Sequence, residues 1–100
     1  MKTDSHERIL QLSDIGELNA SNSSAFRDQA RSAFREGLTG IDIDLSQTRL
    51  VDSSGLGALI SLHKTACARG GAVRILHPNP MVRQILELTR LHRVFEIVSA

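Results

Sequence analysis

The chain has one cysteine, no tryptophan, no tyrosine and only three phenylalanines, Phe26, Phe34 and Phe95. A single thiol excludes an internal disulfide and points to a reducing cytoplasm. With so few aromatics, the core must be built from Leu, Ile, Val and Ala. Long apolar runs are missing too, so no segment can cross a membrane. Met1 to Arg8 is polar and lacks the apolar stretch of a secretory signal. Acidic residues are absent from Ser53 to Leu86, a stretch that holds Lys64, Arg69, Arg74 and Arg83.

What is present fits one soluble α/β domain over residues 1–100, with 1–7 expected as a flexible N-terminus. The net charge of +1 hides an asymmetry: residues 1–52 carry −3 and residues 53–100 carry +4. The basic half raises nucleic acid or anionic lipid as partners. The cations are dispersed and no aromatic is interleaved, so a solvated helical face is the expectation, with no direct nucleic-acid contact and no membrane insertion.

Arg8 to Leu12 reads as a short strand, and Asn22 as the N-cap of a helix through about Glu36. Phe26, Ala30, Ala33 and Phe34 give that helix an apolar stripe. Ile41 to Leu45 alternates as a half-buried strand does. A second helix is expected from about Gly55 to Ala68, with Leu56, Leu59, Ile60, His63 and Cys67 on one side. Gly70-Gly71 breaks the chain before a strand over Ala72 to Leu76. Asn79-Pro80 starts a third helix, with Asn79 as cap and Val82, Ile85, Leu86 and Thr89 inward. Val94 to Val98 closes the order β-α-β-α-β-α-β, the pattern of crossover-linked strands. Gln11, Asp42, Asp44, Arg74 and Glu96 interrupt the strands at alternate positions. The sheet is therefore expected to carry helices mainly on one face and to leave the other solvated, Asp42 and Asp44 included.

The most informative segment is Asp52-Ser53-Ser54-Gly55-Leu56-Gly57, placed where a loop becomes a helix N-terminus. Such a terminus has unpaired N–H groups and partial positive charge, and so suits a phosphate. Three enzyme or ligand sites fail on spacing. A nucleophile elbow needs glycines two residues either side of the serine, which neither Ser53 nor Ser54 has. His63 lies about 13 Å along the helix from Ser54 and cannot serve as its base. The dinucleotide fingerprint lacks its third glycine, where Ile60 stands, and no P-loop exists. His6, His63, His77 and His92 lack metal-ligand spacing, so neither metal nor cofactor is expected, and Cys67 reads as a small core residue.

These residues resemble the STAS domain family of bacterial anti-sigma factor antagonists and sulfate-transporter modules. The resemblance rests on Asp44-Leu45-Ser46, on Val51 to Gly57, on Gly70-Gly71 and on Pro80 to Ile97, with Gly16-Glu17-Leu18-Asn19 in support. It implies a small mixed sheet and a non-enzymatic binding module. It further implies phosphorylation at Ser54, with Ser53 as second choice, by a serine-kinase anti-sigma factor, and reset by a metal-dependent serine phosphatase. The unphosphorylated form would bind the kinase and free the sigma factor. Asn19, Asp52, Ser53, Ser54, Gly55, Leu56 and Gly57 would contact the partner. The alternative it implies is a regulatory subunit of a membrane lipid- or anion-transport complex. Three departures stand out. Asn19 replaces an Asp, Arg90 replaces a glycine that ends the last helix, and the short lead before Ile9 leaves the first edge strand truncated or missing.

Overall fold

A computed structural model of the chain describes residues 1–99. Its main sheet has five strands: β1 (Lys2–His6), β2 (Ile9–Ser13), β4 (Gly40–Asp44), β6 (Val73–Leu76) and β7 (Glu96–Val98), in the order β1-β2-β4-β6-β7. Only the β1–β2 pairing is antiparallel. A separate two-stranded ladder pairs β3 (Glu17–Leu18) with β5 (Leu50–Val51), in parallel. The helices are α1 (Ser23–Ala33), α2 (Ser53–Cys67) and α3 (Pro80–Leu88), followed by a 3₁₀ turn at Leu91–Arg93.

Residues 2–6 are an ordered edge strand, which corrects the expectation of a flexible 1–7 and of a truncated or missing first strand. The strand forms because Glu7 and Arg8 both take positive φ, 50° and 69°, and so make a two-residue hairpin that folds Lys2–His6 back onto β2.

The core lies between the sheet and the helices. Leu10, Leu12, Ile41, Ile43, Val73 and Ile75 point into it from the strands, and Phe26, Ala30, Leu59, Leu62, Ala66, Val82 and Leu86 meet them from the helices. Helix α2 turns a different face inward than its periodicity suggests. Gly55, Ala58, Leu59, Leu62 and Ala66 are buried, Leu56, Ile60 and His63 are half-buried, and Cys67 is exposed rather than a core residue. Apolar residues cover most of this helix, so the pattern alone does not select a face. The small residues let it lie close against the sheet.

One helix start and one cap also differ from expectation. Helix α2 begins at Ser53 because Asp52 is its N-cap, and Asn22 heads α1 without capping it by its side chain. Asn79 does cap α3, accepting from the Val82 N–H at 2.8 Å, while its Nδ2 donates to the Thr48 carbonyl. Thr89, expected inward, is exposed and its hydroxyl bonds back to the Ile85 carbonyl. Arg90 holds the left-handed conformation at the end of α3, φ 61°, that glycine adopts most easily.

The other sheet face is largely polar, as expected, with Gln11, Arg74 and Glu96 exposed. Asp42 is the exception. It is only 5 % exposed, because Arg74 on the neighbouring strand lies over it.

Candidate functional site

Pairing of β3 with β5 places two distant segments side by side at one end of the domain. Glu17 faces Leu50 and Leu18 faces Val51 in register. The chain leaves β5 directly into Asp52, whose own N–H donates to the Leu18 carbonyl at 3.0 Å. The Asp52 carboxylate then accepts from both sides: Oδ1 from the Gly55 N–H at 3.0 Å and Oδ2 from the Ala20 N–H at 3.2 Å. One side chain thus caps α2 and ties it to the loop before α1.

Ser53 and Ser54 occupy the first two helical positions, not the cap, and both are exposed. Their backbone N–H groups have no protein acceptor among the described residues. Both serines therefore lie at the positive end of a 15-residue helix whose first N–H donors are free.

The two motif glycines have different causes. A Cβ on Gly55 would lie 2.7 Å from both the Cβ and the carbonyl oxygen of Leu18, so close approach of β3 demands glycine there. A Cβ on Gly57 would meet nothing within 4 Å. Gly57 is exposed, and leaves a bare patch of helix beside the serines. Leu56 is half-buried and packs against the core.

Asn19 sits in the tied loop. Its Oδ1 accepts from the N–H and the hydroxyl of Ser21, at 3.0 and 2.6 Å, and its Nδ2 donates to Glu17 Oε2 at 3.3 Å. Its own N–H donates to Asn22 Oδ1 at 2.9 Å, while Asn22 Nδ2 donates to the Glu17 carbonyl. The amide suits this position because it donates to a carboxylate that another acid would repel.

All seven residues singled out in the sequence, Asn19 and Asp52 to Gly57, therefore lie on two segments that the β3–β5 ladder and Asp52 hold together. Sequence reasoning missed Ala20 and Leu18, which support the site through backbone groups. His63 takes no part in it. Its Nε2 lies 3.3 Å from Cys67 Sγ and its ring meets Phe95 edge-on. Among the described residues no three His, Cys, Asp or Glu side chains converge as metal ligands do.

The STAS domain family pattern matches residues 1–100. The chain belongs to the STAS domain family. A Thermotoga maritima protein assigned as an anti-sigma factor antagonist is 32 % identical over 82 residues, covering 81 % of this chain and 73 % of that one. A Thermotoga maritima crystal structure with the same assignment superposes with a TM-score of 0.92 at 27 % identity, covering 99 % of this chain and 86 % of the other. The Bacillus cell fate determinant SpoIIAA in its phosphorylated form shares the fold, with a TM-score of 0.70 at 22 % identity over 98 % of this chain and 90 % of that one. Among the described residues no helix is long and apolar enough to cross a membrane.

Proposed function

We propose that this STAS domain is a cytoplasmic anti-sigma factor antagonist switched at Ser54. Unphosphorylated, it binds a serine-kinase anti-sigma factor through the Asn19 loop and the start of α2, and so releases the sigma factor. The kinase phosphorylates Ser54 and binding ends; a metal-dependent serine phosphatase restores the hydroxyl. The domain is a substrate and ligand in this cycle, not an enzyme.

The observation that carries this reading is the exposure of Ser54 on a helix start whose cap is supplied by a different residue, Asp52. Modification of Ser54 breaks no bond that holds the fold. Phosphoserine carries about −1.5 to −2 charges at pH 7. The helix N-terminus favours such an anion by roughly 0.3–1 kcal/mol, and Asp52 opposes it in part. The domain therefore tolerates the phosphate. An unpaired charge in a protein interface, by contrast, costs about 3–5 kcal/mol. At about 1.4 kcal/mol per tenfold, binding weakens by roughly a hundredfold to a few thousandfold. A related fold is known in a phosphorylated form, which supports the reading by analogy.

The test is intact-mass analysis of the protein from its own cells, combined with binding of Ser54→Ala and Ser54→Asp variants to the co-purified kinase. A species one phosphate heavier that disappears in Ser54→Ala is expected. Ser54→Ala should bind constitutively and Ser54→Asp weakly. Equal binding by both variants overturns the switch.

A further inference from the structure

The ladder of β3 and β5 has a buried side and an outer side. Leu18 and Val51 are buried beneath it, while Glu17 and Leu50, opposite each other in register, stand on its outer side. Leu50 is 45 % exposed. Its neighbour Glu17 accepts from the Asn19 amide on Oε2 and pairs with the Arg49 guanidinium on Oε1, at 3.3 and 3.5 Å. Leu50 thus adjoins the Asn19 loop through Glu17, and stands two residues before Asp52, the cap beneath Ser53 and Ser54.

A second exposed apolar side chain is brought to the same place. Asn79, the cap of α3, donates through Nδ2 to the Thr48 carbonyl at 2.7 Å, and α3 packs on β5. Leu50 lies two residues past Thr48 and Met81 two residues past Asn79, so one bond draws both into one neighbourhood. Met81 is 57 % exposed. Leu88, also exposed, stands about 10 Å farther along α3 at 1.5 Å per residue, and Val94 follows the 3₁₀ turn. Single apolar side chains are ordinary on a surface, but two brought together beside a partner-reading segment mark a contact.

We propose that Leu50 and Met81 are the apolar anchor for the serine-kinase partner and receive an apolar side chain of it; the inference rests on the Ser54 reading above. The choice of occupant follows from size and continuity. Two side chains are far too small to hold a second copy of this chain, since stable interfaces bury about 1,200–2,000 Å². Joined to the Asn19 loop and the start of α2, they extend one larger surface. Glu17, Arg49 and Asn19 then form the polar rim that surrounds such an anchor. The anchor stands apart from the Ser54 hydroxyl, so it binds the kinase equally before and during phosphoryl transfer. It therefore acts on KM and leaves kcat unchanged.

The test measures binding of the full chain to the co-purified kinase, and the kinetics of its phosphorylation, for Leu50→Ser, Met81→Ser and the control Val94→Ser, with Ser54→Asp in the same series. Leu50→Ser should weaken binding about tenfold or more and Met81→Ser about threefold, each with a raised KM and an unchanged kcat. Val94→Ser should bind as the unmodified chain does. Thermal unfolding establishes that each variant folds, and Met81→Ser, at an exposed helix position, carries the test should Leu50→Ser unfold. Unchanged binding by the folded Leu50 and Met81 variants overturns the anchor and leaves the Ser54 switch standing. Tight binding by Ser54→Asp together with a loss in Leu50→Ser overturns the switch and leaves the anchor standing. An equal loss in Val94→Ser, or a dimer of the chain alone that Leu50→Ser abolishes, also overturns the anchor.

Discussion

Asp42 and Arg74 face each other on adjacent parallel strands and meet in a two-pronged ion pair, Nε to Oδ1 at 2.8 Å and Nη2 to Oδ2 at 2.7 Å. The Arg74 side chain is 44 % exposed and that of Asp42 only 6 %. Removing the arginine therefore uncovers a carboxylate that the sheet keeps from water. Arg74→Ala should lower stability by about 1–2 kcal/mol, less than for a fully buried pair because solvent screens the arginine. The pair holds the Arg74 pKa above the usual guanidinium value, chiefly through the hydrogen bond to Asp42. A cation whose folded pKa is raised keeps its contribution below the unfolded value and loses it only as pH climbs through the folded one. Urea midpoints of the two proteins should thus differ by the same amount at pH 7 and pH 10.

Gly55 and Gly57 should respond oppositely to alanine. Gly55→Ala forces Leu18 and its backbone aside and should cost about 1–3 kcal/mol. Gly57→Ala should stabilise the fold by about 0.5–1 kcal/mol, because an exposed helical glycine is conformationally expensive. If Gly57 is kept bare for a partner, the same variant should bind the kinase more weakly. Thermal unfolding and binding measured on one preparation separate the two effects.

Asn19→Asp introduces an acid and sets it against Glu17 Oε2, where the amide now donates. The contacts to Ser21 use the oxygen and persist. A loss of about 0.2–0.5 kcal/mol is expected, as for other neighbouring like charges, and added salt should shrink it. Urea unfolding at low and high salt reads this directly.

The hairpin between β1 and β2 runs on Glu7 and Arg8, neither suited to positive φ. Replacing them by Asn and Gly, the residues this turn prefers, should stabilise the domain by about 1–2 kcal/mol. No change in the unfolding midpoint would show that the hairpin contributes nothing to the cooperative unit.

Much of the fold was legible because periodicity and punctuation agreed. Ile41 to Leu45 alternates, Gly70-Gly71 breaks the chain, and Asn79-Pro80 caps a helix as such a pair should. Strand β1 was not legible, since Lys2-Thr3-Asp4-Ser5-His6 contains no apolar residue and exists as a strand only through its partner. β3 and β5 span two residues each, too short for any period to register. The inward face of α2 was misread because apolar residues nearly encircle it. Burial of Asp42 follows from a contact with a residue 32 positions away.

The candidate site divides in the same way. Its serines and glycines form one contiguous string, and a string can be read. Ala20 supplies only a backbone N–H, which every residue but proline has, so its identity carries no signal. Helix α2 is expected from about Gly55 but starts at Ser53, because Ser53 and Ser54 are themselves good capping residues and hide the true cap, Asp52, that precedes them.

Of the two bonds that the Asp52 carboxylate accepts, one is local, from Gly55, and the other, from Ala20, spans 32 residues. The helix start beneath Ser54 is therefore finished only after β3 has found β5. A nascent or truncated chain carries the serine in its sequence but not in its presented shape. Ser54 in its native setting is a certificate of completed folding, issued before any partner reads it.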